Sequence, residues 1–118
     1  PAPAGAEAAG RRFAHLAGRH AFSFFDVWTT DWAGHRADAN DAARLVALVD
    51  AFVHGLAEAR PAHLTVLLVS DHGNLEDVRH GSHTVAPVPL LAWGPQADRF
   101  VHAASLLDVA PAIAAMAP

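Results

Sequence analysis

Apolar residues in the middle of the chain recur every three or four positions between residues 45 and 56, which is the spacing of one face of an α-helix. The stripe consists of Leu45, Leu48, Val49, Phe52, Val53 and Leu56. Asp38 precedes the stripe as a candidate N-cap, and Pro61 follows it as a helix breaker. The pattern therefore predicts a helix from Asp38 to about Arg60.

The next segment, Leu64–Val69, is an unbroken apolar run that ends abruptly in Ser70, Asp71 and His72. Such a run is typical of a strand covered on both faces, as in parallel sheets. Ligands of parallel α/β sheets gather just beyond the carboxyl ends of the strands. The sequence therefore predicts a buried strand that delivers Asp71 and His72 to the functional edge of a sheet.

An aromatic segment, Ala21–Trp28, precedes the predicted helix and reads as a first strand because it is rich in β-forming residues. Asp31 and His35 follow it, and we expect them in a loop, where their separation of four residues lets them share one ion. Strand, helix and strand then form a right-handed βαβ unit with parallel strands, and the helix stripe packs on the sheet. This topology brings Asp31 and Asp71 to the same edge.

The two ends of the chain carry weaker signals. Pro1–Gly10 is rich in Pro, Ala and Gly and is expected to be frayed or a linker, followed by a short helix over Arg11–Gly18. Val88–Trp93 predicts a short strand that Pro87 and Pro89 place at an edge or a strand start.

Residues 105–116 predict a final helix, either kinked at Pro111 or beginning near Asp108. The predicted fold is α/β, with three layers in which helices flank a mostly parallel sheet. Residues 1–20 form a lead-in and residues 21–118 form part of one domain.

Composition excludes several classes of protein. The chain has 118 residues, of which 53% are apolar, enough for one domain with a core. No apolar run is long enough for a membrane span. A net charge of −4, with Arg residues scattered and Lys absent, argues against nucleic-acid binding. Cysteine is absent, which excludes disulfides and thiolate metal sites, and a cytoplasmic setting is the default expectation.

The candidate chemistry lies in side chains that the predicted topology brings to one sheet edge, namely Asp31, His35, Asp71, His72 and His83. Each of them alone is more simply explained as a turn or cap residue. Together, five polar side chains at one point would repel or stay unsatisfied unless a cation held them. Carboxylate and imidazole ligands suit zinc or manganese.

Four neighbouring residues leave alternatives open at this point. His80 lies in the same loop as His83 and competes with it as a ligand. Glu76 and Asp77 are either a third source of carboxylate or caps of a short helix. Asn74 is first a turn residue and second a hydrogen-bond partner of a metal ligand.

Three ordered motifs complete the pattern: TDWAGH at 30–35, SDHGNLED at 70–77 and SHTVAPVPLLAWGP at 82–95. They resemble the C-terminal part of the alkaline phosphatase superfamily, above all the metalloenzyme domain shared by cofactor-independent phosphoglycerate mutases and phosphopentomutases. In that family a D-x-x-x-H element and a later His-Thr hold one metal ion, and the Asp-His of D-H-G-N serves a second. The resemblance implies Asp31, His35 and His83 for the first ion and Asp71 and His72 for the second. Thr84 favours His83 over His80.

The resemblance also exposes a departure from the family. The family's N-terminal Asp ligand and its Ser or Thr nucleophile have no counterpart upstream, since residues 1–20 contain no Asp, Ser or Thr. The chain is therefore expected to be the C-terminal portion of a larger catalytic domain and to lack a nucleophile.

The function implied for the intact protein is metal-dependent phosphoryl transfer by a phosphomutase or a phosphomonoester hydrolase. Its cofactors would be two divalent ions, manganese or zinc, with magnesium as a further candidate. Its substrate would be a phosphorylated small molecule. The alternatives are a non-catalytic metal-binding or interaction module, truncated or completed by another chain, and a purely structural metal staple. The isolated chain is expected to be inactive and prone to self-association through an unpaired strand edge.

Overall fold

The structure, a computed structural model, describes residues 2–79 and 81–116. Within these ranges the chain forms α1 (Pro3–Ala17), α2 (Thr29–Arg36), α3 (Ala39–Ala59), β1 (Val66–Val69), β2 (Leu90–Trp93) and α4 (Leu106–Ala114). A short 3₁₀ helix, Ala97–Phe100, lies between β2 and α4.

Helix α3 confirms the helix predicted from the apolar stripe. The Asp38 carboxylate caps it by accepting hydrogen bonds from the N–H groups of Asn40 and Asp41, at 2.9 and 3.1 Å. Arg60 is already extended, as expected for a residue that precedes a proline. The sequence therefore defined both ends of this helix to within a residue.

Helix α1 begins at Pro3, well before the predicted start at Arg11, so residues 3–10 are helical rather than frayed. Proline in the first turn and an alanine-rich sequence both favour this helix. It packs along α3, where Gly10 and Gly55 let the two backbones approach so closely that a Cβ on either would overlap the other helix. The apolar stripe of α3 thus packs mainly against α1, and the predicted packing on the sheet is wrong.

The sheet differs most from the prediction. It has two strands, and β1 pairs with β2 in antiparallel register, with Val66 opposite Trp93 and Val69 opposite Leu90. The three-layer, mostly parallel sheet is not formed by the described residues. The predicted first strand makes no ladder with β1, and β1 is half-buried to exposed rather than covered on both faces. The chain is α/β, but its parallel βαβ unit is absent from the described part.

The aromatic segment Phe22–Val27 runs without regular secondary structure between α1 and α2. Phe25 anchors it by stacking on Phe52 of α3, with ring centroids 4.6 Å apart, and by contacting Phe13 of α1. Phe24 is 78% exposed and Phe22 is also exposed. The segment therefore attaches to the helices through one ring and presents the others to solvent.

The last helix, α4, begins after Ser105, and a capping box with Asp108 fixes its start. The predicted final helix is confirmed, although it starts before Asp108 and continues through Pro111. No helix in the described ranges has the length and apolar character required to cross a membrane.

Candidate metal centre

Helix α2 delivers the first two predicted ligands. Asp31 lies in its first turn and His35 in its last, so both are helical, and the prediction that they lie in a loop is wrong. Residues four apart share a helix face. The Asp31 Oδ1 atom consequently lies 3.3 Å from His35 Nε2.

The loop after β1 delivers His72, and the segment before β2 delivers His83. An isolated antiparallel bridge joins the two segments, because the Thr84 N–H donates a 2.8 Å hydrogen bond to the Gly73 carbonyl. The imidazole rings of His72 and His83 stack with centroids 3.6 Å apart. Backbone pairing next to both histidines thus holds their rings side by side.

The three imidazoles lie around the Asp31 carboxylate, and the ligand atoms of Asp31, His72 and His83 all lie within 4.8 Å of one another. Asp31 Oδ1 lies 3.2 Å from His83 Nε2 and 3.9 Å from His72 Nε2. His35 Nε2 lies 3.1 Å from His83 Nε2. Ligand atoms around a tetrahedral ion at 2.0–2.1 Å are roughly 3.3 Å apart, so the spacing of these donors fits a divalent ion such as zinc. The side chains are between 30% and 50% exposed, which leaves the cluster open to solvent.

A backbone carbonyl orients the His35 ring through Nδ1, the ring nitrogen that does not face the cluster. Its Nδ1 donates a 2.8 Å hydrogen bond to Gly81 O, because a carbonyl oxygen can only accept. In the neutral ring, Nε2 then carries a lone pair toward the cluster, the arrangement that ligating histidines use. Gly81 adopts a positive φ of 59°, and a Cβ there would overlap the His35 main-chain oxygen.

Asp31 is held in the ionised form. The Asn74 amide donates a 2.7 Å hydrogen bond to Asp31 Oδ1, and this bond lowers the pKa of the Asp31 carboxyl below its usual value. Partial burial opposes this lowering of the pKa, and the imidazoles of His35, His83 and His72 add to it when they are protonated. The cluster therefore offers a carboxylate at neutral pH.

Glu76 lies beside the cluster as a clasp between its two loops. One carboxylate oxygen accepts from the Thr84 hydroxyl, and the other accepts a 2.8 Å hydrogen bond from the Asn74 N–H. The Thr84 bond lowers the pKa of Glu76. Residues 74–79 form turns and no helix, so Glu76 does not cap one and instead connects the loops, while its role as a source of carboxylate for a metal stays a prediction. Asp77 pairs with Arg79, at 2.6 Å between Oδ2 and Nη2.

Asp71 stands apart from the other predicted ligands. Its side chain is 78% exposed, and its Oδ2 lies 3.5 Å from His72 Nε2. The structure thus brings four of the five predicted residues together and leaves Asp71 at their rim. His80 lies outside the described residues, so its competition with His83 stays untested.

A cleft of about 520 Å³ opens beside Asp71 and His72. Its other walls are residues 84–88 and 104–107, so it runs from the cluster to the start of α4. Ligand pockets usually measure roughly 300–1,000 Å³. The cleft therefore has room for a small molecule next to the candidate metal centre.

A second group of carboxylates and imidazole lies on the α1–α3 face, formed by Glu7, His54 and Glu58. Arg11 lies among them, and its guanidinium forms ion pairs with both Glu7 and Glu58. Both carboxylates are thus already ion-paired with one side chain. We interpret this group as an ion-pair network between two helices.

Comparisons with known proteins identify the family to which the chain belongs. The family model of the Metalloenzyme superfamily matches residues 7–117. The 2,3-bisphosphoglycerate-independent phosphoglycerate mutase of Yersinia pestis (strain Pestoides F) is 34% identical over 89 residues, which is 69% of this chain and 17% of the relative. The Desulforudis audaxviator protein of the same name is 40% identical over 91 residues, or 70% of this chain and 18% of the relative. That of Enterobacter sp. (strain 638) is 33% identical over 89 residues, covering 69% and 17%.

No solved structure gives a significant match. The chain spans only 17–18% of the length of these curated relatives. The family model, in contrast, covers nearly the whole chain, including all four residues of the cluster. This chain therefore belongs to the Metalloenzyme superfamily and carries a metalloenzyme domain of the alkaline phosphatase type.

Proposed function

We propose that this chain supplies the metal centre of a phosphoryl-transfer enzyme that uses two divalent ions. The observation that carries the proposal is the convergence of Asp31 Oδ1 with the Nε2 atoms of His35 and His83, at 3.1–3.3 Å from one another. These three residues would hold the first ion. A carboxylate kept ionised and an imidazole with its lone pair turned inward are ligands ready for a cation.

Asp71 and His72 would contribute to the second ion. They lie at the mouth of the cleft, and their ligand atoms are 3.5 Å apart. His72 also lies 3.9 Å from Asp31 Oδ1, so it stands between the two proposed ion positions. Two residues are half of a typical ligand shell. The remaining ligands of the second ion would come from outside this chain, in keeping with the small share of its relatives that it covers.

The cleft explains why a phosphorylated substrate would depend on metal here. No Arg or Lys lines the described walls of the cleft, so the protein itself offers no cationic side chain to a phosphate. Bound divalent ions neutralise the charge of a transferring phosphoryl group and activate a hydroxyl nucleophile. The substrate class we propose is a phosphorylated small molecule, processed by a mutase or a phosphatase in the cytoplasm.

The hydroxyl groups in the cleft walls are already engaged. Thr84 donates to Glu76, and Ser105 donates to Asp108 at 3.2 Å within the α4 cap. Neither is free to act as a nucleophile without breaking a contact that shapes the site. We therefore propose that the 118-residue chain alone does not turn over phosphate esters. Metal-dependent hydrolysis of an aryl phosphate by the purified chain, abolished by Asp71→Asn, would contradict this proposal.

Binding of inorganic phosphate tests the phosphoryl-transfer proposal without requiring turnover. With manganese bound to the unmodified chain, the ³¹P resonance of phosphate should broaden beyond the broadening that the same concentration of manganese causes without protein, because phosphate approaches the bound paramagnetic ion. The broadening should disappear with His83→Ala and persist with His102→Ala, a surface histidine. Metal binding without any effect on phosphate would contradict phosphoryl transfer. The engaged hydroxyls would then favour the second candidate, a metal-binding module that does not catalyse.

A further inference from the structure

We infer that Asn74 is a positioning residue for the proposed metal ligand Asp31. We also infer that position 34 is glycine because any side chain there would displace Asn74. Asn74 belongs to the motif after β1 and Gly34 to the motif on α2, and neither is a candidate ligand. The inference rests on the proposed function, because it concerns how the proposed first metal site is held ready.

The Asn74 side-chain amide forms hydrogen bonds with two atoms of Asp31. Its Nδ2 donates a 2.7 Å hydrogen bond to Asp31 Oδ1 and a 3.2 Å hydrogen bond to the Asp31 main-chain oxygen. Asn74 is only 4% exposed, and among the described residues it is the one polar residue that is buried. One amide group thus fixes the carboxylate relative to its own backbone.

The orientation of the amide follows from charge. If Nδ2 and Oδ1 were exchanged, two oxygens would face each other at hydrogen-bond distance, so the amide must present its N–H groups to Asp31. Asn74 Oδ1 then points the other way and has no hydrogen-bond partner in the described part of the chain. A buried acceptor without a partner is energetically unfavourable. This cost indicates that the role of Asn74 lies in the hydrogen bonds that its Nδ2 donates to Asp31.

Gly34 provides the space for this contact. A Cβ at position 34 would overlap the Asn74 side-chain oxygen and Cγ. Position 34 lies between Asp31 and His35 on the inner side of α2, where it is buried. Any side chain there would push Asn74 away from Asp31. The glycine of the first motif and the asparagine of the second are therefore two parts of one contact.

The contact also ties the ligand-bearing segments together. The Asn74 N–H donates to Glu76, and Glu76 accepts from Thr84, the residue next to His83. A chain of hydrogen bonds consequently runs from the Asp31 carboxylate to the segment that carries His83. One lone pair of Asp31 Oδ1 accepts from Asn74, which leaves another to face the imidazoles.

The test is cobalt binding by the full chain, followed by calorimetry and by the visible absorption of the bound ion, which reports the ligand geometry. Asn74→Ala should weaken binding about 10–100-fold, the usual effect of removing a partner of a metal ligand. It should also change the cobalt spectrum. Asn40→Ala, which removes the chain's other asparagine from the exposed start of α3, should change neither.

A double-mutant cycle separates positioning from a merely structural role. In an Asp31→Ala background, Asn74→Ala should have less than about a threefold further effect, because the group it positions is gone. Asn74→Leu keeps the side-chain volume but has no N–H group, so it should weaken binding as much as Asn74→Ala. This agreement would show that the loss does not come from collapse of the loop around a smaller side chain. Gly34→Ala should reproduce the loss.

Two results would overturn the inference while leaving the proposed function intact. One is an Asn74→Ala variant that binds cobalt as tightly as the unmodified chain. The other is an equal loss with and without Asp31, which would mean that Asn74 only supports the loop. An unmodified chain that takes up no cobalt would overturn the proposed function itself, and this inference with it.

Discussion

At the residue scale, the candidate ligands His35 and Asp31 are oriented by contacts with distant segments of the chain. Asp31 and His35 could be paired from their spacing alone. The predicted reason, a loop that closes on one ion, is wrong. The two side chains meet because residues four apart lie on the same face of helix α2. Gly81 and Asn74 orient His35 and Asp31 from positions more than forty residues away. The sequence indicated Asn74 as a partner of a metal ligand only as a second choice after a turn residue, and no local pattern indicates that it holds Asp31 or that Gly81 faces His35.

Ala37 carries backbone strain beside the site. It ends α2 in the left-handed conformation at φ 56°, and its N–H donates a 3.0 Å hydrogen bond to Gly34 O. Glycine is the residue that usually occupies this position at a helix end. We predict that Ala37→Gly raises the free energy of unfolding by about 0.5–1 kcal/mol, because an L-residue is disfavoured there.

Urea unfolding measures this effect, with the transition midpoint shifted and its slope unchanged. Ala47→Gly provides the matched control, since Ala47 lies exposed in the interior of α3. There the same replacement should destabilise the protein by about 1 kcal/mol. If Ala37→Gly destabilised it as much as Ala47→Gly, the left-handed end of α2 would be wrong.

At the scale of elements, the helices were predictable and the sheet was not. The stripe and caps of α3 are local signals, and the structure follows them. Pairing of strands depends on segments far apart in the chain, and an apolar run such as Leu64–Val69 does not specify its partner. Here β1 pairs with β2, and the aromatic segment Phe22–Val27 stays outside the sheet. The parallel arrangement was inferred from the apolar character of this run and from the predicted order of strand, helix and strand, and it failed because residues 22–27 do not form the first strand.

The Glu76 clasp between the two loops predicts a dependence of stability on pH. Its pKa is depressed in the folded chain, chiefly by the Thr84 hydroxyl. A carboxyl with a depressed folded pKa stabilises the fold fully above its unfolded pKa, about 4.3 for Glu. That stabilisation is lost as the pH falls through the lower, folded pKa.

We therefore predict that Glu76→Gln lowers the melting temperature at pH 7 and reduces the decrease in melting temperature between about pH 5 and pH 3. Asp50→Asn, on the exposed face of α3, serves as the control and should leave the profile nearly parallel to that of the unmodified chain. Thermal melts followed by circular dichroism across this range give the answer. Identical profiles for Glu76→Gln and the unmodified chain would show that the clasp contributes nothing.

At the scale of the whole molecule, the described part of the chain is flat and has a small hydrophobic core. Its dimensions are 44 × 33 × 17 Å, and its radius of gyration is 15.1 Å, against about 13.5 Å expected for a compact domain of this length. The buried apolar residues are mostly small, and among the described residues no large side chain is fully buried. Phe22, Phe24, Trp28 and Leu107 are instead exposed. The apolar composition that predicted a core thus lies largely on surfaces.

Such surfaces predict that the isolated chain self-associates. Each strand of the two-stranded sheet has one edge without a partner in the described structure, and exposed rings lie on the aromatic segment. Light scattering over a dilution series should show an apparent mass that rises with concentration. Val69→Lys at the exposed end of β1 and Phe24→Lys test the strand and the aromatic segment separately. A monomer at high concentration with a cooperative melt would mean that the chain is a self-sufficient domain.

The most direct test of the metal centre is a calorimetric titration of the chain with zinc or manganese. We predict that His83→Ala weakens binding by more than the roughly 10–100-fold typical of an outer-shell partner, because it removes a ligand. His102→Ala should bind like the unmodified chain, and His80→Ala should lose far less than His83→Ala. Binding should weaken below about pH 6, because an imidazole coordinates only when it is neutral. Equal affinity for the His83→Ala and His102→Ala variants would contradict the proposal that the cluster of Asp31, His35, His72 and His83 is a metal site.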